Sequence, residues 1–210
     1  MTRRLSVDEA VEALVAGGVV ALPTDTVYGV AASISRPEAV ARLFALKQRP
    51  TTVALPVVAA SPAALHDLVT EWPDGADRLS RALWPGALTI VVGASARLCE
   101  VVASASTRVG FRVPDDPLLV SVLERTGPLA LTSANTHGHA PCASAGEVDA
   151  AFTDGGLLDG VLDAGPRGGT VSTVVEFIGE EWTLRRAGAI SAETVRSAVG
   201  ASPEDSGHVQ

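Results

Sequence analysis

The chain has 210 residues, 47% hydrophobic and 19% charged, a size and balance that fit one folded domain with a substantial core. Its formal net charge of −8 argues against wholesale, sequence-independent binding of nucleic acid, while leaving room for a local basic patch. No segment approaches the roughly 20 uninterrupted apolar residues of a membrane helix. The N-terminus turns acidic at Asp8-Glu9 where a signal peptide would turn apolar, so a cytoplasmic protein without membrane attachment is expected. Cys99 and Cys142 are too few for a disulfide scaffold.

In chain order, Ser6 and Glu9 have the spacing of a capping box, with a helix continuing to about Ala16. Gly17-Gly18 ends it, and 19–22 reads as a buried strand stopped by Pro23. Ser35 and Glu38 repeat the capping spacing, after which Val40, Leu43, Phe44 and Lys47 run at helical spacing to Pro50. Further strands are expected at 53–58, 88–92, 109–113, 129–132 and 171–178, and helices at 76–83, 117–125, 145–152 and 191–199. Ser144 and Glu147 give a third capping box. The sum is an α/β domain over residues 1–200, with helices on a twisted, mixed β-sheet, followed by a loose polar tail at 201–210. Ligands of such sheets sit beyond strand ends, which directs attention to the loops after Leu22, Leu46 and Leu131.

Several chemistries are absent from the sequence. It carries no G-x-x-x-x-G-K-[ST] phosphate loop, no G-x-G-x-x-G after a strand and no G-x-S-x-G nucleophile elbow. Four histidines in all leave little for a His-based triad. The run His137-Gly138-His139-Ala140-Pro141-Cys142 offers three ligand types without a second pair, and it reads as a polar loop with a small buried thiol rather than a metal site.

Four constellations remain. Pro23-Thr24-Asp25-Thr26-Val27-Tyr28-Gly29 follows a buried strand, where short polar side chains can either hold a ligand or bond their own backbone. Lys47-Gln48-Arg49-Pro50 closes a helix, where cations complement the dipole or meet phosphate, Arg as a fork and Lys as a point charge. In Leu131-Thr132-Ser133-Ala134-Asn135 an apolar strand runs into small polar groups, and in extended chain Ser133 and Asn135 face the same side. Arg112 closes the strand of Val109-Gly110-Phe111-Arg112-Val113-Pro114, while Ser172-Thr173-Val174-Val175 and Leu184-Arg185-Arg186-Ala187-Gly188 lie near the C-terminus.

Taken in this order, together with Trp84-Pro85-Gly86-Ala87-Leu88-Thr89 and Arg186-Ala187-Gly188-Ala189-Ile190-Ser191, these segments resemble the YrdC family over about residues 10–195. The resemblance implies a single α/β domain with a twisted mixed sheet around a concave, positively lined cavity. It also implies an enzyme that joins bicarbonate to the amine of L-threonine and transfers the carbamate to the α-phosphate of ATP, with magnesium alongside. The product, threonylcarbamoyl-AMP, would then pass to a separate complex that modifies an adenosine of tRNA. A weak direct contact with tRNA is compatible with this. By the same likeness Lys47, Arg49, Ser133 and Asn135 form the catalytic set; Thr26, Arg112, Ser133 and Ser172 hold threonine; Lys47, Arg49, Asn135 and Arg186 hold ATP. No resident metal site is implied, and no covalent intermediate is needed, because the carbamate is itself the nucleophile. The chain departs from the family in carrying Val53, Ala54 and Val58 where many members have Asn and His, and Ala187 where Pro is common.

Two other readings stand beside this one. The cations Lys47, Arg49, Arg108, Arg112, Arg185 and Arg186 would suit a tRNA- or double-stranded-RNA-binding module, against which stand the acidic total and an aromatic content of 4%. The apolar stretch at 53–58 would suit a paralogue that carbamoylates another small molecule.

Overall fold

The computed structural model describes residues 1–48, 53–136, 138–152 and 156–200. Arg49, Thr51, His137 and the expected tail at 201–210 lie outside the described residues. In chain order the elements are β1 (Arg4–Leu5), α1 (Val7–Val15), β2 (Val20–Leu22), β3 (Gly29–Ser33), α2 (Pro37–Lys47) and β4 (Val57–Val58). A 3-10 turn (Pro62–Leu65), α3 (Asp74–Leu83), β5 (Leu88–Gly93), α4 (Ala96–Val101), β6 (Arg108–Arg112) and α5 (Pro117–Thr126) follow. The chain continues with β7 (Leu129–Ser133), α6 (Ala145–Ala151), β8 (Gly160–Leu162), β9 (Thr173–Ile178), β10 (Glu181–Arg186) and α7 (Ala192–Val199).

Among the described residues ten strands form one sheet in the order β1-β8-β2-β3-β7-β4-β6-β5-β9-β10. Parallel pairs (β1 with β8, β2 with β8, β4 with β6, β5 with β9) mix with antiparallel ones, as expected of a mixed α/β sheet. No helix among the described residues is long and apolar enough to cross a membrane.

Alternation along the strands sends side chains to two faces. On one face, Val30 and Ala32 of β3, Leu88 and Ile90 of β5, Val109 and Phe111 of β6 and Val175 and Phe177 of β9 join the larger core with Val40, Leu43, Leu79 and Val195 of α2, α3 and α7. On the other face, Val20, Ala31, Val58, Leu129 and Leu131 cluster with Leu14 of α1 and Leu119 and Leu123 of α5. This second cluster reaches from β1 to β4. Beyond it, β6, β5 and β9 carry Arg108, Gly110, Arg112, Thr89, Val91, Val174 and Glu176, which line a cavity.

The capping box at the start of α1 forms as the spacing requires: Glu9 N–H donates to Ser6 Oγ (3.2 Å) and Ser6 N–H to Glu9 Oε2 (2.9 Å). The one expected at Ser35 and Glu38 does not. Pro37 supplies the first turn of α2 and makes Arg36 the N-cap, while the Ser35 hydroxyl bonds that of Ser33 at 2.8 Å. At α6 half a box forms, because the Glu147 carboxylate accepts from Ala143 N–H (2.8 Å) rather than from Ser144. The strand expected at 53–58 shortens to Val57–Val58. Pro56 has no N–H to give the ladder, and its carbonyl accepts from Leu131 N–H (3.0 Å) outside regular pairing. Four strands were not expected: β1 and β8 are very short, β3 is a run of small residues after a glycine, and β10 is largely polar.

Asp116 caps α5 and ties it to Arg167, in the segment before β9. Its carboxylate accepts from Leu118 and Leu119 N–H at 3.1 and 2.9 Å and lies 3.3 Å from Arg167 Nη2. Replacing a side chain that caps two helical N–H groups costs about 1–2 kcal/mol. Asp116→Ala should lower the unfolding free energy by that amount in a urea titration, with no change in m-value.

Candidate active site

A cavity of about 400 Å³ opens over the sheet between the β7 end and β10. Three hydrogen-bonded units line or back it, and each joins residues far apart in the chain.

The first unit sits at the end of β7. Lys47, in the last turn of α2, is only 3% exposed, and its Nζ donates to Ser133 O (2.6 Å) and Asn135 Oδ1 (2.8 Å). The ammonium therefore turns inward. The left-handed C-cap at Gln48 (φ 49°) closes α2 just beyond it. Ser133 donates its hydroxyl to Asn135 Oδ1 (2.6 Å), and Asn135 Nδ2 donates to the carbonyls of Thr136 (3.0 Å) and His139 (2.7 Å). Ser133 and Asn135 are thus bonded to each other rather than presented in parallel. Ser133 lies in the cavity wall, with Lys47 and Asn135 behind it.

The second unit is built on the loop after β2. Thr24 makes the local turn that such loops favour: its Oγ1 accepts from the N–H groups of Thr26 (3.0 Å) and Val27 (3.2 Å). Thr26 remains in the wall, and its hydroxyl accepts from Arg112 Nη1 at 3.2 Å. Arg112, at the close of β6, is 7% exposed; it forms a short ion pair with Asp25 (2.6 Å) and donates from Nε to Gly86 O (2.9 Å). Three of its nitrogens are therefore fixed, and the fork has one orientation.

The third unit closes the opposite side. Ser172 Oγ lies 2.9 Å from Thr89 Oγ1 and accepts from Arg186 Nη2 at 3.0 Å, while Arg186 Nε donates to Ser172 O at 3.0 Å. Gly188 makes this possible. A Cβ there would stand 2.4 Å from Ser172 C and 2.5 Å from Thr173 N, so only glycine lets the chain after β10 lie against Ser172. Desolvation and then the positive charge of Arg112 lower the pKa of Arg186.

The wall contains Arg108, Arg112, Arg185 and Arg186 with Glu176 as its carboxylate. The segment before β9 is laced to the threonine loop: Gly169 N–H donates to Thr26 O (3.0 Å), and Tyr28 hydroxyl donates to Gly165 O (2.9 Å). Val58 and Ala54 lie in the same wall with Leu131 and Pro56, so this side is apolar.

Thr26, Arg112, Ser133, Ser172 and Arg186 come together around one cavity, backed by Lys47 and Asn135; Arg49 lies outside the described residues. The sequence reading assigned no role to Asp25, Thr89 or Glu176. Asp25 was legible only as one of several turn-forming residues, whereas Thr89 and Glu176 alternate with buried apolar residues and read as solvent-facing strand positions. His139 is exposed, with its ring bonded to Thr136, and Cys142 is buried. Among the described residues no group of three His, Cys, Asp or Glu side chains could hold a metal ion.

Residues 12–188 match the model of the Sua5/YciO/YrdC family, which is described as telomere recombination. A relative from Mycobacterium tuberculosis is 37% identical over 202 residues, covering 94% of this chain and 91% of its own. The threonylcarbamoyl-AMP synthase of Bacillus subtilis is 35% identical over 192 residues, covering 90% of this chain and 55% of its own. A crystal structure of Pyrococcus abyssi Sua5 complexed with L-threonine superimposes with a TM-score of 0.87 at 30% identity, covering 94% of this chain and 59% of that one. The chain thus spans little more than half the length of these last two proteins. Escherichia coli YciO shares the fold, with a TM-score of 0.81 at 22% identity over 92% of this chain and 96% of its own.

Cys142 sits close enough to the first unit to report on its burial. Desolvation, then the nearby negative charge of Glu147, raises its thiol pKa to about 11 against a slight opposing pull from Lys47. A thiol harder to ionise when folded contributes full stability below its unfolded pKa, and loses that contribution as pH rises toward the folded value. Denaturation midpoints should therefore fall between about pH 9 and pH 11. In Cys142→Ala the decline should be smaller, the remainder coming from Tyr28 and Cys99, whose pKa values burial also raises.

Proposed function

The chain belongs to the Sua5/YciO/YrdC family, and on that premise we propose that it is a threonylcarbamoyl-AMP synthase supplying tRNA modification. The observation that carries this reading is the convergence of Lys47–Ser133–Asn135, Thr26–Arg112 and Ser172–Arg186 on one cationic cavity. Relatives that bear the name, and one solved with L-threonine, support it.

L-Threonine would lie between Thr26, Arg112, Ser133 and Ser172. Arg112, already aimed by Asp25 and Gly86, provides a fixed cation for the carboxylate. The hydroxyls of Thr26, Ser133 and Ser172 provide short polar contacts. The amine condenses with bicarbonate to give the carbamate and water. A carbamate oxygen then attacks the α-phosphorus of ATP, the bond to the β-phosphate oxygen breaks, and pyrophosphate leaves.

Lys47 behind Ser133, Arg49 two residues on and Arg186 on the opposite wall are the groups assigned to the phosphates, with Asn135 fixing Lys47. Their work is electrostatic: charge that builds on phosphate oxygens meets cations. Because Lys47 and Arg186 are already hydrogen-bonded to the protein, little reorganisation of these two accompanies the reaction. Magnesium would arrive as part of the nucleotide substrate, held chiefly by phosphate oxygens, which suits its reluctance to shed water. The adenylate leaves for a separate threonylcarbamoyl-transfer complex.

Purified protein with ATP, bicarbonate and magnesium should release pyrophosphate only when L-threonine is present, with a threonylcarbamoyl-AMP mass in the mixture. Lys47→Ala should lower kcat by about a hundredfold or more. Release that ignores threonine, or full activity in Lys47→Ala, would overturn the assignment.

A further inference from the structure

The two edges of the sheet differ. β1 closes one edge with two residues, too short to template another strand, whereas β10 presents six, Glu181–Arg186, at the other. β10 returns from β9 through the two-residue turn Gly179-Glu180, with Gly179 at φ 59°. A turn of that length closes on a hydrogen-bonded pair, here Ile178 with Glu181, and alternation makes Glu176 with Thr183 the next. Trp182 and Leu184 therefore direct their N–H and C=O groups away from β9, and among the described residues no other backbone takes them up. The register slips only after Leu184, so the edge is regular where these groups stand.

Side chains follow the same alternation. Trp182 and Leu184 turn to the core side, where both pack partly buried against the larger apolar cluster. Glu181, Thr183 and Arg185 take the other face and are exposed, and Arg185 stands in the cavity wall 3.4 Å from Glu176. The Glu181 side chain has no hydrogen-bond or ionic partner among the described residues.

Charges on an edge strand deter indiscriminate strand addition. Their order here is self-complementary. With β10 laid antiparallel against a copy of itself about Thr183, Glu181 meets Arg185 of the second copy, and Arg185 meets its Glu181. Both are non-hydrogen-bonded pairs, with Cα atoms about 4.5 Å apart and side chains close. Trp182 and Leu184 meet each other in the same way, and these are the residues with outward backbone groups, so N–H and C=O are satisfied in both directions. A one-residue slip would turn the faces of the second copy over and lose every one of these matches.

We propose that β10 is the contact surface for a second copy of this chain, forming a two-fold dimer by antiparallel β10 pairing. The contact is isologous and closes on itself, giving dimers and not filaments. It continues one sheet through both protomers and sets Glu181 of the second copy beside Arg185 at the rim of each cavity. One strand pair with its flanking side chains falls at the small end of specific interfaces, below about 1,200 Å² in total, so the dimer is weak, with a Kd of roughly 1–100 μM.

Sedimentation velocity of the full chain, over concentrations that span this range, should show a monomer–dimer equilibrium. Glu181→Arg and Arg185→Glu, each alone, set like charges opposite one another twice and should weaken the dimer about tenfold or more. Mixed in equal amounts, the two variants bring opposite charges together at both places. A mixed dimer should then form with an affinity within about threefold of the unaltered protein. Thr183→Lys sets two ammonium groups against each other at the axis and should weaken the dimer as well. Melting curves show which variants fold; where a charge variant does not, the other one and Thr183→Lys decide. A monomer at every concentration, or a dimer that no folded variant weakens, would overturn the proposal. So would two weakened charge variants that fail to pair with each other.

Discussion

A buried ammonium must be given oxygen partners, and the way Lys47 obtains them organises this molecule. Removing a lone positive charge from water is prohibitive, so the fold brings the end of α2, the end of β7 and the loop through Asn135 to one point. Each partner is held in turn. Asn135 Oδ1 accepts from both Lys47 and Ser133, while its amide nitrogen binds the loop carbonyls of Thr136 and His139. Lys47 and the Ser-x-Asn motif are thus two halves of one hydrogen-bonded structure, which ties a property of the fold to the geometry of the site.

The same logic applies at Arg112. Its ion pair with Asp25 and its bond to Gly86 O fix a guanidinium that would otherwise sweep out the cavity. Arg112 and Arg186 both line the cavity, and after desolvation the charge of Arg112 helps to lower the pKa of Arg186.

Much of the frame was legible in the sequence because apolar period and capping residues are local signals. Strands β5, β6 and β7 and the start of α1 fall where alternation and the Ser6–Glu9 spacing put them. Elements whose identity depends on neighbours were not. β3 is a run of glycine, alanine and serine with one valine, and it becomes a strand because β2 and β7 pair with it on both sides. β10 is polar because it is an edge. At the site, Lys47, Ser133 and Asn135 were identified through their order along the chain, but their mutual bonding could not be. Thr89 and Glu176 were invisible for a single reason: alternation says that a residue leaves one face of a sheet, but not whether helices, water or a ligand meet it on the other.

The placement of charge has a consequence for what can approach. The chain as a whole is acidic, with a formal net charge of −8, yet four arginines are gathered in one recess. At 0.1 M salt the potential of the whole molecule decays over about 10 Å, and at that range any polyanion meets a negative body. Only a solute small enough to enter the recess exchanges that repulsion for the local positive field. Such a recess selects anions by size as well as by sign.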